Sequence, residues 1–417
     1  MAILSLIFLI VPILLGIFLK VNIGLCAFGA SLVLGLISKT PTKTIQGGFP
    51  TGLFITLLGV MTLFSIAQEN KTMENLARKV VSLAGKRTFL IPIIVYVFSV
   101  ILAAVGPGTI PVMGIMAVFT CSLAAEMRIS PILLSATSVL GAAGGGVTPI
   151  APTGILGLSL AAKQGIEGIA VPYAVNMLIA MTTYFIIIYF VLGGYKMKSN
   201  VDVSEVTQAI TFDRNQMITL TGMVVMVVLV IGLGFEVGLT SFTVSMILLL
   251  LKVCNEKKAI ANIPWGTLLM VTGIQMIMAM TISLGGIKLL ANGLSKFMTP
   301  RTAPGILGLT AGIMSWFSST SGVVMPTLIP TATGIVENVG GGVTALSLIS
   351  AVTNTASAAG MSPLSTGGSM GMAAYSAIAK PTEEEHGKLF LRLFLVSAGG
   401  VVVVALVAVT GVYNLLL

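Results

Sequence analysis

The sequence predicts an all-α polytopic membrane protein made of two inverted-topology repeats. Each repeat has five crossings and one re-entrant hairpin, and broken helices meet at the midplane. Three observations lead there. The 417-residue chain is 56% hydrophobic and only 8% charged, against about 25% charged in a soluble domain, so most of its perimeter must face lipid. Its glycines and prolines gather with Ser and Thr in the middle of long apolar stretches. Short motifs of the first half also return in the second at a constant offset.

A span needs about 20 apolar residues. Ten crossings are expected. Those of the first repeat (1–198) are 2–19, 22–38, 50–68, 131–163 and 168–193. A central cytoplasmic loop, 199–215, leads to the second repeat (216–417), with 216–234, 237–252, 264–283, 343–379 and 389–415. The start runs directly into apolar sequence with no basic leader, which reads as a first span. Spans 131–163 and 343–379 are too long for one straight helix, and each is interrupted at its middle. Two other stretches, 88–125 and 303–335, turn at Gly106-Pro107-Gly108-Thr109 and at Ser318-Ser319-Thr320-Ser321. They read as re-entrant hairpins, whose irregular backbone is tolerated at membrane depth only where protein or water covers it. The amphipathic segments Met73–Arg87 and Ile287–Arg301 precede the hairpins. Interfacial arms between a static scaffold and a moving domain, or plain loops with some helix, fit them equally.

With the N-terminus outside, Lys39, Lys43, Lys163, Lys288, Lys296 and Arg301 fall in outer loops and the other sixteen of the 22 basic residues in inner ones. The positive-inside rule favours this orientation, with both termini outside a bacterial inner (cytoplasmic) membrane. It also accounts for the net charge of +9 without a nucleic-acid partner. The internal match runs at 214 residues from Pro50-x-Gly52 to Pro264-x-Gly266, from Gly59 to Gly273, from Leu76-Ala77 to Leu290-Ala291, and from Gly146-Val147-Thr148-Pro149-Ile150 to Gly360-Met361-Ser362-Pro363-Leu364. The hairpin tips match at 212, from Gly106 to Ser318. An odd number of crossings per copy turns the second copy upside down, the plan of many secondary transporters.

Four breaks result, at 106–111, 144–154, 318–322 and 354–368. Each exposes helix N-termini, which favour an anion, and carbonyl and hydroxyl oxygens, which suit Na⁺. The candidate residues for an anionic substrate are Gly108, Thr109, Thr148, Pro149, Thr153, Ser318, Ser319, Thr320, Ser362, Pro363 and Thr366. Those for Na⁺ are Gly106, Pro107, Gly108, Gly144, Gly145, Ser318, Ser319, Asn354, Ala358 and Ala359. The only aspartates, Asp202 and Asp213, fall in the central loop. The glutamates lie in loops or at span ends, and the one histidine, His386, follows Glu383-Glu384-Glu385 in a loop read as solvated. With no buried carboxylate or histidine to relay protons, Na⁺ is the expected coupling ion. No other metal and no organic cofactor is expected. Cys26, Cys121 and Cys254 are isolated, without metal or disulfide spacing.

At these residues the chain resembles a known family. Gly106-Pro107-Gly108-Thr109, Ile129-Ser130-Pro131 and Thr148-Pro149-Ile150-Ala151-Pro152-Thr153-Gly154 are similar to motifs of the MatC-type dicarboxylate (malonate) carriers. So are Leu57-Leu58-Gly59-Val60 and Ile66-Ala67-Gln68-Glu69-Asn70. The likeness is sharpest over 50–157. More distantly, the two-hairpin plan resembles the divalent-anion:sodium symporters of the wider ion-transporter superfamily. That resemblance implies a dicarboxylate and Na⁺ held between hairpin tips and broken helices, an elevator motion of 88–163 and 303–379, and a homodimeric scaffold. Ser319 stands where that group's second tip carries Asn, and the first tip lacks both its Ser and its Asn.

Other readings compete. A proton-coupled or uniport carrier of another small carboxylate, such as a sugar acid or hydroxy acid, fits the same breaks. A channel would need a continuous polar pore. An intramembrane enzyme would need paired Asp, an HExxH pair, or Ser with His inside the membrane, and the sequence offers none of these.

Overall fold

The computed structural model describes residues 1–19, 21–81, 87–127, 129–197, 211–379 and 381–415, and among these the chain is all helical. The helices in order are α1 (Ala2–Leu19), α2 (Ile23–Ser38), α3 (Thr42–Gly47), α4 (Thr51–Glu69), α5 (Thr72–Val81), α6 (Ile91–Ala104), α7 (Thr109–Met127), α8 (Pro131–Gly145), α9 (Pro152–Ala162) and α10 (Ala170–Val191). Then come α11 (Arg214–Val227), α12 (Val237–Leu250), α13 (Glu256–Asn262), α14 (Trp265–Ser283), α15 (Gly286–Ser295), α16 (Ala303–Trp316), α17 (Met325–Leu328), α18 (Ala332–Val339), α19 (Ala345–Ala359), α20 (Thr366–Ala379) and α21 (Glu383–Val409). Short π and 3₁₀ turns extend α11 (Val228–Gly232) and link α16 to α18 (Thr320–Val324 and Ile329–Thr331).

Among the described residues, four helical stretches are long and apolar enough to cross a membrane: Thr42–Glu69, α10, α14 and α21. Ten shorter apolar helices accompany them. Large apolar side chains such as Phe18, Leu36, Val171, Val191, Leu250 and Leu406 are exposed, a perimeter suited to lipid and not to water.

Glycine sets the closest helix crossings. A Cβ on Gly59 of α4 would strike the Gly238 carbonyl of α12, and one on Gly273 of α14 would strike the Gly24 carbonyl of α2. Without side chains the backbones can meet, as small residues allow in membranes. Gly59 and Gly273 are 214 residues apart, as are Gly24 and Gly238, so the two crossings exchange partners between the halves. The caps follow suit. Asn22 accepts from the Gly24 and Leu25 amides and donates to the Gly266 carbonyl. Glu236 accepts from the Gly238 and Leu239 amides and from the Thr56 hydroxyl. α6 packs along α8 as α16 packs along α19, and α10 covers α8 as α21 covers α19.

The expected interruptions are present but shorter. The chain leaves helix at 105–108, 146–151, 317–319 and 360–365. Residues Gly144, Gly145, Asn354, Ala358 and Ala359 therefore lie inside α8 and α19, where side-chain packing and the i→i−4 ladder hold them. The stretch expected as a solvated loop at Glu383–His386 is instead the first turn of α21, begun by a capping box between Thr382 and Glu385. The amphipathic segments are helical only over Thr72–Val81 and Gly286–Ser295, with 82–86 outside the described residues. Most of the 199–215 loop also lies outside them, and α11 starts within its expected span, at Arg214. The short helices α3 and α13 were not expected.

The two hairpins differ. α7 is one continuous second leg, whereas its counterpart is cut into four pieces from Thr320 to Val339. Pro326 and Pro330 each remove an amide donor from that leg. The gap after Pro330 is filled from outside. Gln164, just past α9, accepts from the Thr333 amide (3.3 Å) and hydroxyl (3.2 Å) and donates to the Ile329 carbonyl (3.0 Å). Its carboxamide thus stands in for the missing 333→329 ladder bond and ties α9 to the second hairpin. Next to it, Lys163 donates to Gln275 of α14 at 2.5 Å. Gln164→Leu should leave the part-buried Thr333 amide without its partner, while the Ile329 carbonyl keeps the Ala332 amide. At about 1–3 kcal/mol per group, a clear drop in the apparent melting temperature of the purified protein is expected, and Gln164→Glu, which keeps the acceptor, should lose less.

Candidate functional site

The four breaks converge. A small cavity, about 30 Å³, is lined by Thr109, Ile110 and Met113 of α7, Thr153 of α9, Ser319, Thr320 and Ser321 at the second hairpin tip, Ser357 and Gly360 at the end of α19, and Ser365, Thr366 and Gly367 at the start of α20. α7, α9, the Thr320–Val324 turn and α20 all start on this cavity. The first amides of a helix lack intrahelical acceptors and carry its positive end. Four such ends face one space whose lining has no charged side chain.

Local chemistry keeps the breaks open and ordered. Gly106 and Gly108 take φ of 142° and 74°, which a side chain at either position would oppose. A Cβ on Gly108 would also come within 2.6 Å of Pro152 Cδ, so the first tip is seated on the start of α9. Each broken span closes with the same bond. The Gly154 amide donates to the Gly146 carbonyl (3.2 Å), and the Gly368 amide to the Gly360 carbonyl (3.0 Å). Gly146 is kept bare by the Thr109 hydroxyl, which occupies the space a Cβ would take.

The hydroxyls divide into two groups. Thr148 donates to the Ala104 carbonyl (2.7 Å), Ser318 to Met314 (2.6 Å), Ser362 to Trp316 (3.4 Å) and Ser365 to Ser318 (3.3 Å). These bonds satisfy carbonyls near the ends of the first hairpin legs. Ser319 caps its own turn by accepting from the Gly322 amide, and Ser315 and Thr320 share the Ala356 carbonyl. By contrast, Ser321, Ser357 and Thr366 make no side-chain hydrogen bond among the described residues. Thr109 and Thr153 reach only each other, at 3.3 Å.

Of the residues expected to hold substrate, Thr109, Thr153, Ser319, Thr320 and Thr366 line the cavity. Gly108 shapes it from behind, while Ser318, Thr148 and Ser362 bind backbone and Pro149 and Pro363 line no part of it. Of the residues expected for Na⁺, Ser319 reaches it. Pro107 lines an adjoining apolar pocket with Leu57, Met61 and Leu268, and Gly106 packs on Phe64. Gly145 packs on the Val100 carbonyl, the Asn354 amide donates to the Asn176 carbonyl, and Ala359 accepts from Ser397. The candidate set left out Ile110, Met113, Ser321, Ser357, Gly360, Ser365 and Gly367, of which Ser321 stood in the hydroxyl run of the second tip. Ser365 was legible as a hydroxyl beside a break, whereas Ser357 and Met113 depend on how α19 and α7 are turned. A second, larger cleft of about 640 Å³ lies between α4, α5, α7 and α13.

No curated protein matches this chain. The family model described as dicarboxylate carrier protein MatC N-terminus matches residues 1–146. That region runs from the first residue through α8 and includes the whole first hairpin. This part of the chain, with its Gly-Pro-Gly-Thr tip, is similar to the N-terminal part of the MatC-type dicarboxylate carriers.

Proposed function

We propose that the protein is a secondary transporter of small dicarboxylates that couples uptake to Na⁺ and works by an elevator motion. The observation that carries this reading is the convergence of four helix starts on an uncharged, hydroxyl-lined cavity. Free amides and aligned dipoles suit a carboxylate, and the cavity needs no basic side chain to do so. The unpartnered hydroxyls of Ser321, Ser357 and Thr366 supply further donors. With neither carboxylate nor histidine in the lining, Na⁺ held by hydroxyl and carbonyl oxygens fits better than a proton relay.

The cavity volume argues for movement. A water needs about 10–15 Å³ measured this way, so a space of about 30 Å³ admits roughly two. Pockets for small molecules run to about 300–1,000 Å³. A dicarboxylate therefore enters only if the tips part. We take 88–163 and 303–379 as the moving body, the remaining spans as a scaffold that pairs two copies, and the 214-residue recurrence as an inverted repeat whose hairpins re-enter from opposite sides. The exchanged glycine crossings fit that symmetry, because each joins one half of the chain to the other.

Labelled malonate and succinate uptake into proteoliposomes tests the reading. Uptake should require an inward Na⁺ gradient, and uptake driven by a pH gradient alone would refute Na⁺ coupling. Thr109→Val and Ser321→Ala each remove a donor to a charged ligand, worth about 1.5–3 kcal/mol. Each should raise KM by roughly ten-fold or more while the protein still purifies folded.

A further inference from the structure

We propose that the large cleft is a second anion-binding station, a vestibule that takes small carboxylates on Lys71 and Lys258 before they reach the tip cavity; this rests on the carrier reading above. At about 640 Å³ the cleft is within the range of small-molecule sites, whereas the tip cavity is not. Five charged residues line it, and three of them are already engaged. Glu74 pairs with Arg78 at 3.2 Å. Glu69 accepts from the Asn255 amide at 3.2 Å, which fixes it to the start of α13. Lys71 and Lys258 are exposed to the cleft and form no ion pair among the described residues. The charged groups left over are therefore two ammonium donors, with Gln68 and Asn262 beside them, a set that takes a carboxylate.

Lys71 closes α4 in a left-handed turn. Its φ of 61° is one of three positive values at non-glycine residues. The other two, Lys39 and Lys252, also stand just past a helix end, where a left-handed residue commonly closes the helix. The position 214 residues later, with φ of 81°, is Gly285. The same turn is thus built with glycine in one half and, beside the cleft, with lysine in the other. The counterpart of Lys258 is Thr44, so neither lysine recurs at the equivalent position of the other half.

The cleft also leads to the tip. Gly114, Val118 and Ser122 line it at four-residue spacing on α7, and Ile110, one turn earlier on the same face, lines the tip cavity. A Cβ on Gly114 would meet only Met370 Sδ, at 3.8 Å, so α7 itself places no side chain on the floor at that turn.

Transport from each face separates this proposal from a purely structural role. In proteoliposomes of known orientation, Lys71→Gln/Lys258→Gln should raise KM for malonate from the cleft side by about ten-fold, the scale of electrostatic steering. Vmax should hold, the salt dependence should vanish, and KM from the opposite face should stay unchanged. Lys71→Arg/Lys258→Arg should restore KM. Equal KM changes on both faces, or none, would overturn it. A transport-independent readout is protection of the two lysines by malonate against a membrane-impermeant amine reagent, in the wild type and in Thr109→Val/Ser321→Ala. Protection that malonamide does not give, retained in that variant, is expected, and no protection would overturn the proposal. Protection without uptake would keep the vestibule and fail the transport reading. Uptake without protection would do the reverse.

Discussion

Four helices begin at one point, and each leaves its first amides without intrahelical acceptors. In water those groups would be hydrated. At membrane depth they must find protein, an ion or a ligand. The chain satisfies part of this demand internally, through the Gly154-to-Gly146 and Gly368-to-Gly360 bonds and the Ser319 cap. What remains is a positive, hydroxyl-lined space with no side-chain charge of its own. The seating of Gly108 on Pro152 and the bare Gly146 beneath Thr109 serve to hold these helix starts together.

That focus needs a rigid surround, and the surround comes in pairs. The Gly59–Gly238 and Gly24–Gly273 crossings let backbones approach closely, so the interlock depends on glycine rather than on large side chains. The second hairpin breaks the symmetry. Its prolines cost it a continuous leg, and Gln164 supplies from α9 the bond that the leg cannot make itself. Through Lys163 and Gln275 the same corner reaches α14. A change in the relative position of α9 and α14 would therefore have to break a specific hydrogen bond, whereas α9 and the second hairpin are tied to move together.

Much of the architecture was legible in the sequence, because apolar length and interrupted runs report directly on helices and their breaks. The spans at 2–19, 22–38 and 264–283 agree with helices to within a residue. Breaks were located correctly but drawn too wide. Gly144, Gly145 and Ala358 look like unwinding signals in a string of letters, yet in α8 and α19 their small size serves close packing. The acidic run at Glu383 reads as loop only until Thr382 is recognised as its cap. The site was legible wherever a hydroxyl stood at the start of a helix, as at Thr109, Thr153, Ser319 and Thr366. It was not legible where rotation about a helix axis decides which side chain faces inward, as for Met113 and Ser357. Nor was it legible for Gln164, whose role exists only where the second leg passes from the Ile329–Thr331 turn into α18.

If helix starts rather than side-chain charges recognise the ligand, affinity must follow the ligand's own charge. The most direct measurement is calorimetric binding of malonate, its half-amide and malonamide, close to one another in size, to the purified protein in Na⁺. Affinity is expected to fall with each charge removed and to disappear for the neutral diamide. Binding of malonamide as tight as that of malonate would contradict the account.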